Sequence, residues 1–152
     1  MRLTQELIYR ETIAGPWGPT SGRPFGARVC WSVPSAELVG PRIEARLVMP
    51  GADWIRLGPD GCRRPDQRLA FQTVDGALVL LSYDNALIRE SRAFLDALAG
   101  GQSTAADEQY MRMTAQFDTG DSRYAWLTQS LFLGEGRVTG DHRIEYVIYR
   151  AE

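Results

Sequence analysis

The sequence predicts an all-β fold, a single antiparallel β-barrel of about 8–10 strands with one short helix near residues 89–99. Three observations predict it. The 15 glycines and 8 prolines are spread along the 152 residues, which is typical of many short strands joined by turns. Several segments between these turns alternate apolar and polar side chains with a period of two. Only one segment has the spacing of a helix.

The predicted strands follow one another along the chain. Alternation is clearest at residues 42–49, where apolar residues occupy every second position. Asp75-Gly76 is a strong hairpin signal between two apolar segments. Strands are therefore predicted at residues 3–13, 27–33, 42–49, 52–57, 66–74, 77–83, 108–117, 124–133 and 143–150.

The one predicted helix covers residues 89–99. Phe94, Leu95 and Leu98 lie on one side of it at helical spacing, and two glycines directly after it supply a stop. Ser91 is suited to cap its N-terminus.

Two glycine-containing segments are predicted to interrupt the strands. Residues 14–26 form a long loop in which Trp17 and Phe25 either cover the mouth of the barrel or plug it. Residues 134–136, with the sequence Gly-Glu-Gly, form a hairpin turn.

Closure explains how such a set of strands hides its edges. A barrel has no edge strands, whereas a two-sheet sandwich, the alternative, keeps them. A barrel of this size leaves an interior about wide enough for one small ligand. The length suits one domain, and no change of composition marks a boundary, so we expect a single domain at residues 1–152.

The composition excludes several classes of function. All 17 basic residues are arginine, so a Schiff-base lysine or a P-loop lysine is excluded. The formal net charge of −2 predicts no general attraction to nucleic acid or to acidic membranes. No stretch approaches 18 consecutive apolar residues, and the N-terminus does not resemble a signal peptide. We therefore expect a cytoplasmic protein.

Metal and cofactor motifs are also missing from the sequence. Cys30, Cys62 and His142 are too few and too widely spaced for a zinc site. We expect both cysteines to be reduced in a cytoplasmic protein. Because no cofactor motif is visible, we expect chemistry that needs no cofactor and no metal.

Polar residues at alternate strand positions predict what lines the barrel. Tyr110 and Arg112 share one face of a strand whose other face carries two methionines. If the methionines pack outside, the polar face points inward. Tyr124 and Trp126 repeat this layout, and Arg68 gives a third example. We expect a pocket with aromatic walls and a few polar groups, the usual form of a small-molecule site.

Each candidate residue has a chemical role. A partly desolvated aspartate is suited to act as a general base. Arginines would hold an anion or a developing oxyanion, tyrosines would donate hydrogen bonds, and tryptophans would stack on a flat substrate. The predicted catalytic residues are Asp53, Tyr110 and Arg112, and the predicted substrate-binding residues are Arg68, Tyr124, Trp126 and Trp54.

The charged candidates also support a structural interpretation. A buried arginine needs a partner, because an unpaired buried charge costs several kcal/mol. Asp53 and Asp66 are the acids nearest to Arg68 and Arg112 in these motifs. In this interpretation the four residues form fixed ion pairs that tie strands together.

Five short strings, in order between residues 7 and 149, resemble the family catalogued as domain of unknown function 3237, or uncharacterised protein family 0311. The resemblance implies a single-domain antiparallel β-barrel with a central pocket, often self-associating, and enzymes for small aromatic or polyketide-like compounds. The chain departs from the family pattern at residues 82–87 and at Thr128. The strings are GADW at 51–54, DG at 60–61 with DQR at 66–68, TVDGA at 73–77, YMRMTAQFDTG at 110–120 and RYAWL at 123–127.

The sequence thus favours a cofactor-free enzyme of the lyase, isomerase or cyclase type. Such steps need only proton transfer, oxyanion stabilisation and a shaped pocket. The first alternative is a non-catalytic barrel that binds a small molecule. The second is a structural protein whose interior is filled by side chains. The expected partner is a small molecule, with self-association as a further expectation.

Overall fold

The computed structural model describes residues 1–20, 27–105 and 107–152. Within these residues the chain forms one antiparallel sheet of 11 strands, one α-helix and one 3₁₀ helix. The helix α1 spans Arg92–Gly100, and the 3₁₀ helix spans Ser122–Leu127. The strands are β1 (Leu3–Thr20), β2 (Ala27–Gly40), β3 (Ile43–Leu47), β4 (Gly51–Leu57), β5 (Cys62–Arg64), β6 (Gln67–Thr73), β7 (Leu78–Tyr83), β8 (Ala86–Arg89), β9 (Met111–Asp118), β10 (Phe132–Gly140) and β11 (Arg143–Ala151).

The sheet closes on itself, because its long strands change partners along their length. β2 pairs with β4 over its first half and with β3 near its end, while β9 pairs first with β8 and then with β7. β1 pairs with both β11 and β2 and so completes the barrel. β4 and β6 meet at a single pair, Asp53 and Gln67. The predicted antiparallel barrel with one short helix is confirmed.

Alternate residues of each strand fill the barrel. On β6 the residues Gln67, Leu69, Phe71 and Thr73 are buried, and the residues between them are more exposed. The same period of two runs along β4, β9 and β10. The core of the protein is therefore the interior of the barrel, where a side chain from any strand can meet side chains from distant strands.

Helix α1 lies against the end of this interior. The Ser91 hydroxyl accepts a hydrogen bond from the Phe94 N–H, and Gly101 adopts φ = 67° to end the helix. Phe94 and Ala97 are its buried residues. The predicted cap and stop are thus observed, although the helix begins at Arg92 and residue 89 still belongs to β8.

The predicted loop at residues 14–26 is wrong for its first half. β1 continues to Thr20, and Trp17 pairs with Cys30 on β2. β2 pairs with this segment at Ala14, Trp17 and Thr20, with shifts of register between these pairs, so the glycines and prolines interrupt the pairing without ending the strand. Trp17 is 59% exposed, so it does not plug the barrel. Phe25 lies outside the described residues.

The predicted strand at residues 124–133 is wrong in its first part, where the chain forms the 3₁₀ helix. The predicted hairpin turn at residues 134–136 is also wrong, because this segment lies inside β10. Gly136 faces inward, where an added Cβ would lie 2.5 Å from the Tyr146 ring. Glycine therefore occupies this position because the Tyr146 ring packs closely against it, and not because the chain turns here.

No helix in the described part of the chain is long and apolar enough to cross a membrane. Cys30 and Cys62 are free thiols.

Candidate active site

A cluster of polar side chains occupies the barrel interior, which is otherwise apolar. Tyr9 and Glu11 come from β1, Asp53 from β4 and Gln67 from β6, and each of the four is at most 6% exposed. The Tyr9 hydroxyl donates a hydrogen bond of 2.5 Å to Glu11 Oε2 and lies 3.0 Å from Gln67 Oε1. Gln67 Nε2 donates to Glu11 Oε2 at 2.8 Å. Glu11 is therefore held by two buried neighbours.

The strand pattern explains why these residues meet. Leu7, Tyr9, Glu11 and Ile13 are the buried residues of the inward face of β1. Asp53 lies opposite Trp31 on β2 and opposite Gln67 on β6. Residues directly opposite each other in antiparallel strands place their side chains on the same face. Three distant segments of the chain thus bring two carboxyls and an amide together.

Burial changes the protonation of both carboxyls. Loss of solvation raises the pKa of Glu11 to about 7, against hydrogen bonds from Tyr9 and Gln67 that favour the charged form. Loss of solvation also raises the pKa of Asp53 well above its usual range, and the nearby Glu11 charge adds to this effect. Contacts from the Asp66 backbone and the Gln67 amide oppose the Asp53 shift. Burial therefore favours the protonated form of Asp53, while Glu11 exchanges its proton near pH 7.

One oxygen of Asp53 has no partner. Among the described residues, Oδ1 of Asp53 is the buried side-chain polar atom that makes no hydrogen bond. Leaving such an atom unsatisfied costs about 1–3 kcal/mol, so most are paired in folded proteins. This oxygen is available to a bound molecule.

Glu11 and Asp53 both line a cavity at one end of the barrel. The cavity has a volume of about 30 Å³, so with this arrangement of side chains it admits only a water-sized group. Trp31, Met111 and several isoleucines form its apolar walls. Phe94 of α1 covers it from outside the barrel. The cavity therefore combines two carboxyls with an aromatic and aliphatic surround.

Of the residues that the structure describes, Arg63 on β5 is the one positively charged residue that lines this cavity. Its Nε donates to Glu90 at 2.5 Å, and its guanidinium lies 5.4 Å from the centre of the Phe94 ring. The Arg63 side chain is 15% exposed. Among the described residues, no group of three or more His, Cys, Asp or Glu side chains is arranged to hold a metal ion.

Of the seven residues predicted from the sequence, Asp53 alone lines the cavity. The predicted inward orientation of Tyr110 and Arg112 is wrong, because Met111 and Met113 occupy the interior. Arg112 forms an ion pair of 2.6 Å with Glu135 outside the barrel, and its guanidinium lies over the Tyr110 ring.

The other predicted binding residues also lie away from the cavity. Trp54 is 55% exposed, and the Arg68 side chain is 71% exposed and paired with Asp66 at 3.0 Å. Tyr124 and Trp126 belong to the 3₁₀ helix and not to a strand. The Tyr124 hydroxyl donates to Asp75, and the Trp126 ring packs against Arg42. Their observed contacts are structural ones.

Sequence reasoning missed Tyr9, Glu11, Gln67 and Arg63. A signal for Glu11 was present, since it occupies the third position of an alternating face whose other members are Leu7, Tyr9 and Ile13. An acidic residue on a face that is otherwise suited to the core predicts a buried carboxyl. Arg63 gave no such signal, because its strand has only three residues.

Comparison with known proteins places this barrel in a family. The family model described as "Protein of unknown function (DUF3237)" matches residues 7–151. The chain belongs to the DUF3237 family. The family resemblance read from the sequence is thereby confirmed.

Relatives of this DUF3237 chain extend over almost its whole length. A UPF0311 protein of Rhodopseudomonas palustris is 33% identical over 138 residues, which is 88% of this chain and 89% of the relative. A crystal structure of a conserved protein of unknown function from the same species has a TM-score of 0.86 at 22% identity and covers 98% of this chain and 96% of that one. A β-barrel-like protein of Acinetobacter baumannii has a TM-score of 0.78 at 26% identity and covers 99% and 96%.

A more distant structure shares the fold of the DUF3237 chain. It is described as an enzyme from Penicillium herquei, with a TM-score of 0.69 at 17% identity over 99% of this chain and 94% of that one. At this identity the likeness shows the fold alone.

Proposed function

We propose that this protein is an acid–base enzyme that acts on a small, partly aromatic or polyketide-like molecule inside the barrel. The proposed reaction is of the lyase, isomerase or cyclase type. The observation that carries the proposal is the pair of buried carboxyls, Glu11 and Asp53, which line one cavity and sit in different hydrogen-bonding environments. Two titratable groups whose environments separate their pKa values are the usual basis for assigning an acid and a base.

Asp53 is suited to act as the general acid. Burial raises the pKa of its carboxyl and so favours the protonated form, and Oδ1 has no hydrogen-bond partner among the described residues. A substrate oxygen or carbon placed at Oδ1 would receive the proton. This assignment reverses the direction of proton transfer expected from the sequence, where Asp53 was predicted to be a base.

Glu11 is suited to act as the general base. A pKa of about 7 lies near the pH at which a base both exists in its charged form and accepts a proton well. Tyr9 and Gln67 fix the carboxylate through hydrogen bonds to the same oxygen, Oε2. The other oxygen, Oε1, is then the one that faces a substrate.

The remaining walls provide shape and exclude water. Trp31 offers a flat aromatic surface, and the isoleucines around it make the site apolar. In such surroundings charges interact more strongly than in water. Because the cavity is narrow, entry of a substrate requires Phe94 and Leu98 of α1 to move outward. The proposed steps are proton transfers, which the two carboxyls perform themselves.

The Penicillium herquei protein supports this proposal to a limited degree. It is described as an enzyme, and its fold is the same. A barrel of this kind is therefore compatible with catalysis, and the buried carboxyl pair supplies the chemistry in this chain.

The test is a search for turnover in matched variants. Small aromatic and polyketide-like compounds are first screened by thermal shift, and those that stabilise the protein are incubated with it and analysed by mass spectrometry. Asp53→Asn and Glu11→Gln are each expected to lower product formation by at least about 100-fold with the fold retained, because removal of acid or base catalysis has effects of about this size. Arg56→Gln, on the outer face of β4, is the control and is expected to keep full activity. Product formation at the wild-type rate in Asp53→Asn would dismiss Asp53 as the acid.

The second candidate function is a non-catalytic barrel that binds a small molecule. The unpartnered Asp53 Oδ1 favours it as well, because any ligand with a hydrogen-bonding group would satisfy this atom. It predicts compounds that raise the melting temperature and are recovered unchanged after long incubation. In that case Asp53→Asn weakens binding without affecting any product.

A further inference from the structure

We propose that Arg63 is the specificity-determining residue of the cavity and that it selects ligands in which an apolar, ring-containing body carries a negatively charged oxygen. The inference rests on the proposed function only in taking this cavity as the ligand site. The carboxyl pair does not itself indicate which ligand charge is accepted, so Arg63 adds the substrate class.

The position of Arg63 in the sheet turns it towards the cavity. Arg63 lies opposite Ile88 in the pairing of β5 with β8. Ile88 is buried and lines the cavity, and residues opposite each other share a face of the sheet. Arg63 thus joins the cavity lining, whereas Arg56 and Arg68 are outward-facing residues of neighbouring strands.

The Arg63 guanidinium is held in place by one ion pair but keeps hydrogen-bond donors for a ligand. Its Nε is bonded to Glu90, and its plane lies near the Phe94 ring. A guanidinium has five N–H donors, and among the described residues Arg63 forms its hydrogen bond through Nε, to Glu90, and none through its two terminal nitrogens. Two parallel donors at a fixed place are what a carboxylate or phenolate oxygen needs for tight binding.

The charge of the surroundings also fits an anionic ligand. Among the described residues, Glu90 is the acid that pairs with Arg63, and it does so through Nε and not through the terminal nitrogens. Both acids of the cavity, Glu11 and Asp53, have a pKa raised by burial, which lowers the negative charge that an anionic ligand meets there at pH 6. The ring-containing body of the ligand would then lie between Arg63 and the carboxyl pair, against Trp31 and Phe94.

The test compares two probes of the same shape, 2-naphthoate and 2-naphthalenemethanol, which differ in carrying a carboxylate or a neutral alcohol. Their dissociation constants are measured by calorimetry at pH 6 with the full chain. We expect the wild type to bind 2-naphthoate at least about tenfold more tightly, the size expected for a charge-assisted hydrogen-bonded contact. NMR shifts of the Arg63 Nε–H and the Phe94 ring establish that the probe occupies this cavity.

Three variants separate recognition from a structural ion pair. Arg63→Gln is expected to remove the preference for 2-naphthoate, and Arg56→Gln, a surface control, to keep it. Glu90→Gln removes the same ion pair but leaves the guanidinium, so it is expected to keep the preference or to increase it. Melting temperatures show that each variant is folded.

Several outcomes would overturn the inference. They are a preference that survives in Arg63→Gln, an equal loss in Glu90→Gln, and no measurable binding of 2-naphthoate by the wild type. Failure here is distinct from failure of the proposed function. If Arg63→Gln has no effect while Asp53→Asn abolishes turnover, the enzyme proposal stands and the ligand class is wrong. If the Arg63 preference is found but no compound is ever converted, the inference stands and the barrel is a binding protein.

Discussion

Replacing Glu11 with glutamine should make the protein more stable at alkaline pH. Glu11 is 4% exposed, and burial raises its pKa from 4.5 to about 7. Glutamine has almost the same shape and can still accept hydrogen bonds from Tyr9 and Gln67. It differs in having no proton to lose, so it removes the cost of ionising a buried carboxyl.

The sign and size follow from linkage between protonation and folding. Below pH 4.5 the carboxyl is protonated in both the folded and the unfolded chain. Between pH 4.5 and 7 the unfolded chain loses this proton while the folded chain keeps it, so the free energy of unfolding falls as the pH rises. A pKa difference of this size corresponds to about 3 kcal/mol, since each unit is worth about 1.4 kcal/mol. Above pH 7 this contribution is lost completely.

The assay is urea unfolding of wild type and Glu11→Gln at pH values from 4.5 to 8.5, followed by tryptophan fluorescence. The pKa values of Glu6 and Glu145 are lowered in the folded state by paired arginines. Because both proteins contain these two residues, their contribution to the free energy of unfolding cancels when the variant is compared with the wild type. We expect a difference near zero at pH 4.5 that grows to about 3 kcal/mol in favour of the variant at pH 8.5. Glu44→Gln, on the exposed face of β3, is the matched control. A difference that does not change with pH, or a variant that is less stable at pH 8.5, would refute the assignment of Glu11 as a buried, reluctantly ionised carboxyl.

Three further outcomes are expected. Asp53→Asn should also stabilise the protein at pH 8.5, and the double variant with Glu11→Gln should gain less than the sum of the single variants in urea unfolding, because the Glu11 charge adds to the rise in the pKa of Asp53. Gly136→Ala should lower the free energy of unfolding by about 1–3 kcal/mol, since its Cβ would meet the Tyr146 ring at 2.5 Å, whereas Gly120→Ala, with open space around it, should leave the urea midpoint unchanged. Arg112→Gln should leave the dissociation constant of 2-naphthoate in calorimetry unchanged, because Arg112 pairs with Glu135 outside the barrel.

The elements predicted well were those that local signals define. The Asp75-Gly76 turn joins β6 to β7, with Gly76 at φ = 90°, and the serine cap and glycine stop of α1 act within a single turn of chain. The errors came where a distant strand decides the structure. Residues 14–20 remain in β1 because β2 pairs with them, and nothing in the sequence of this segment indicates that pairing.

The inward face of β9 shows a second limit. A period of two divides the strand into a methionine face and a Tyr-Arg-Thr face, but it does not say which one is buried. The choice depends on the neighbouring strand. Gly134 of β10 lies opposite Met113, and a Cβ on that glycine would approach the Met113 side chain to 2.7 Å. The missing side chain at Gly134 makes the space that the methionine fills, which is a property of two strands together.

Folding alone would favour an uncharged residue at position 11. At position 11 a glutamine would keep the hydrogen bonds to Tyr9 and Gln67 without the cost of a buried ionisable group, so packing and stability favour the amide over the acid. The chain nevertheless carries a glutamate there and an aspartate with an unpartnered oxygen at position 53, in the same cavity. Two acids that each cost stability at neutral pH are better explained by a need to exchange protons than by a need to hold strands together. A fixed ion pair, the structural interpretation of Asp53, would require an arginine within reach, and within the described residues Asp53 forms none. The same reasoning links stability to function, because Glu11→Gln is expected both to stabilise the barrel at high pH and to remove its base.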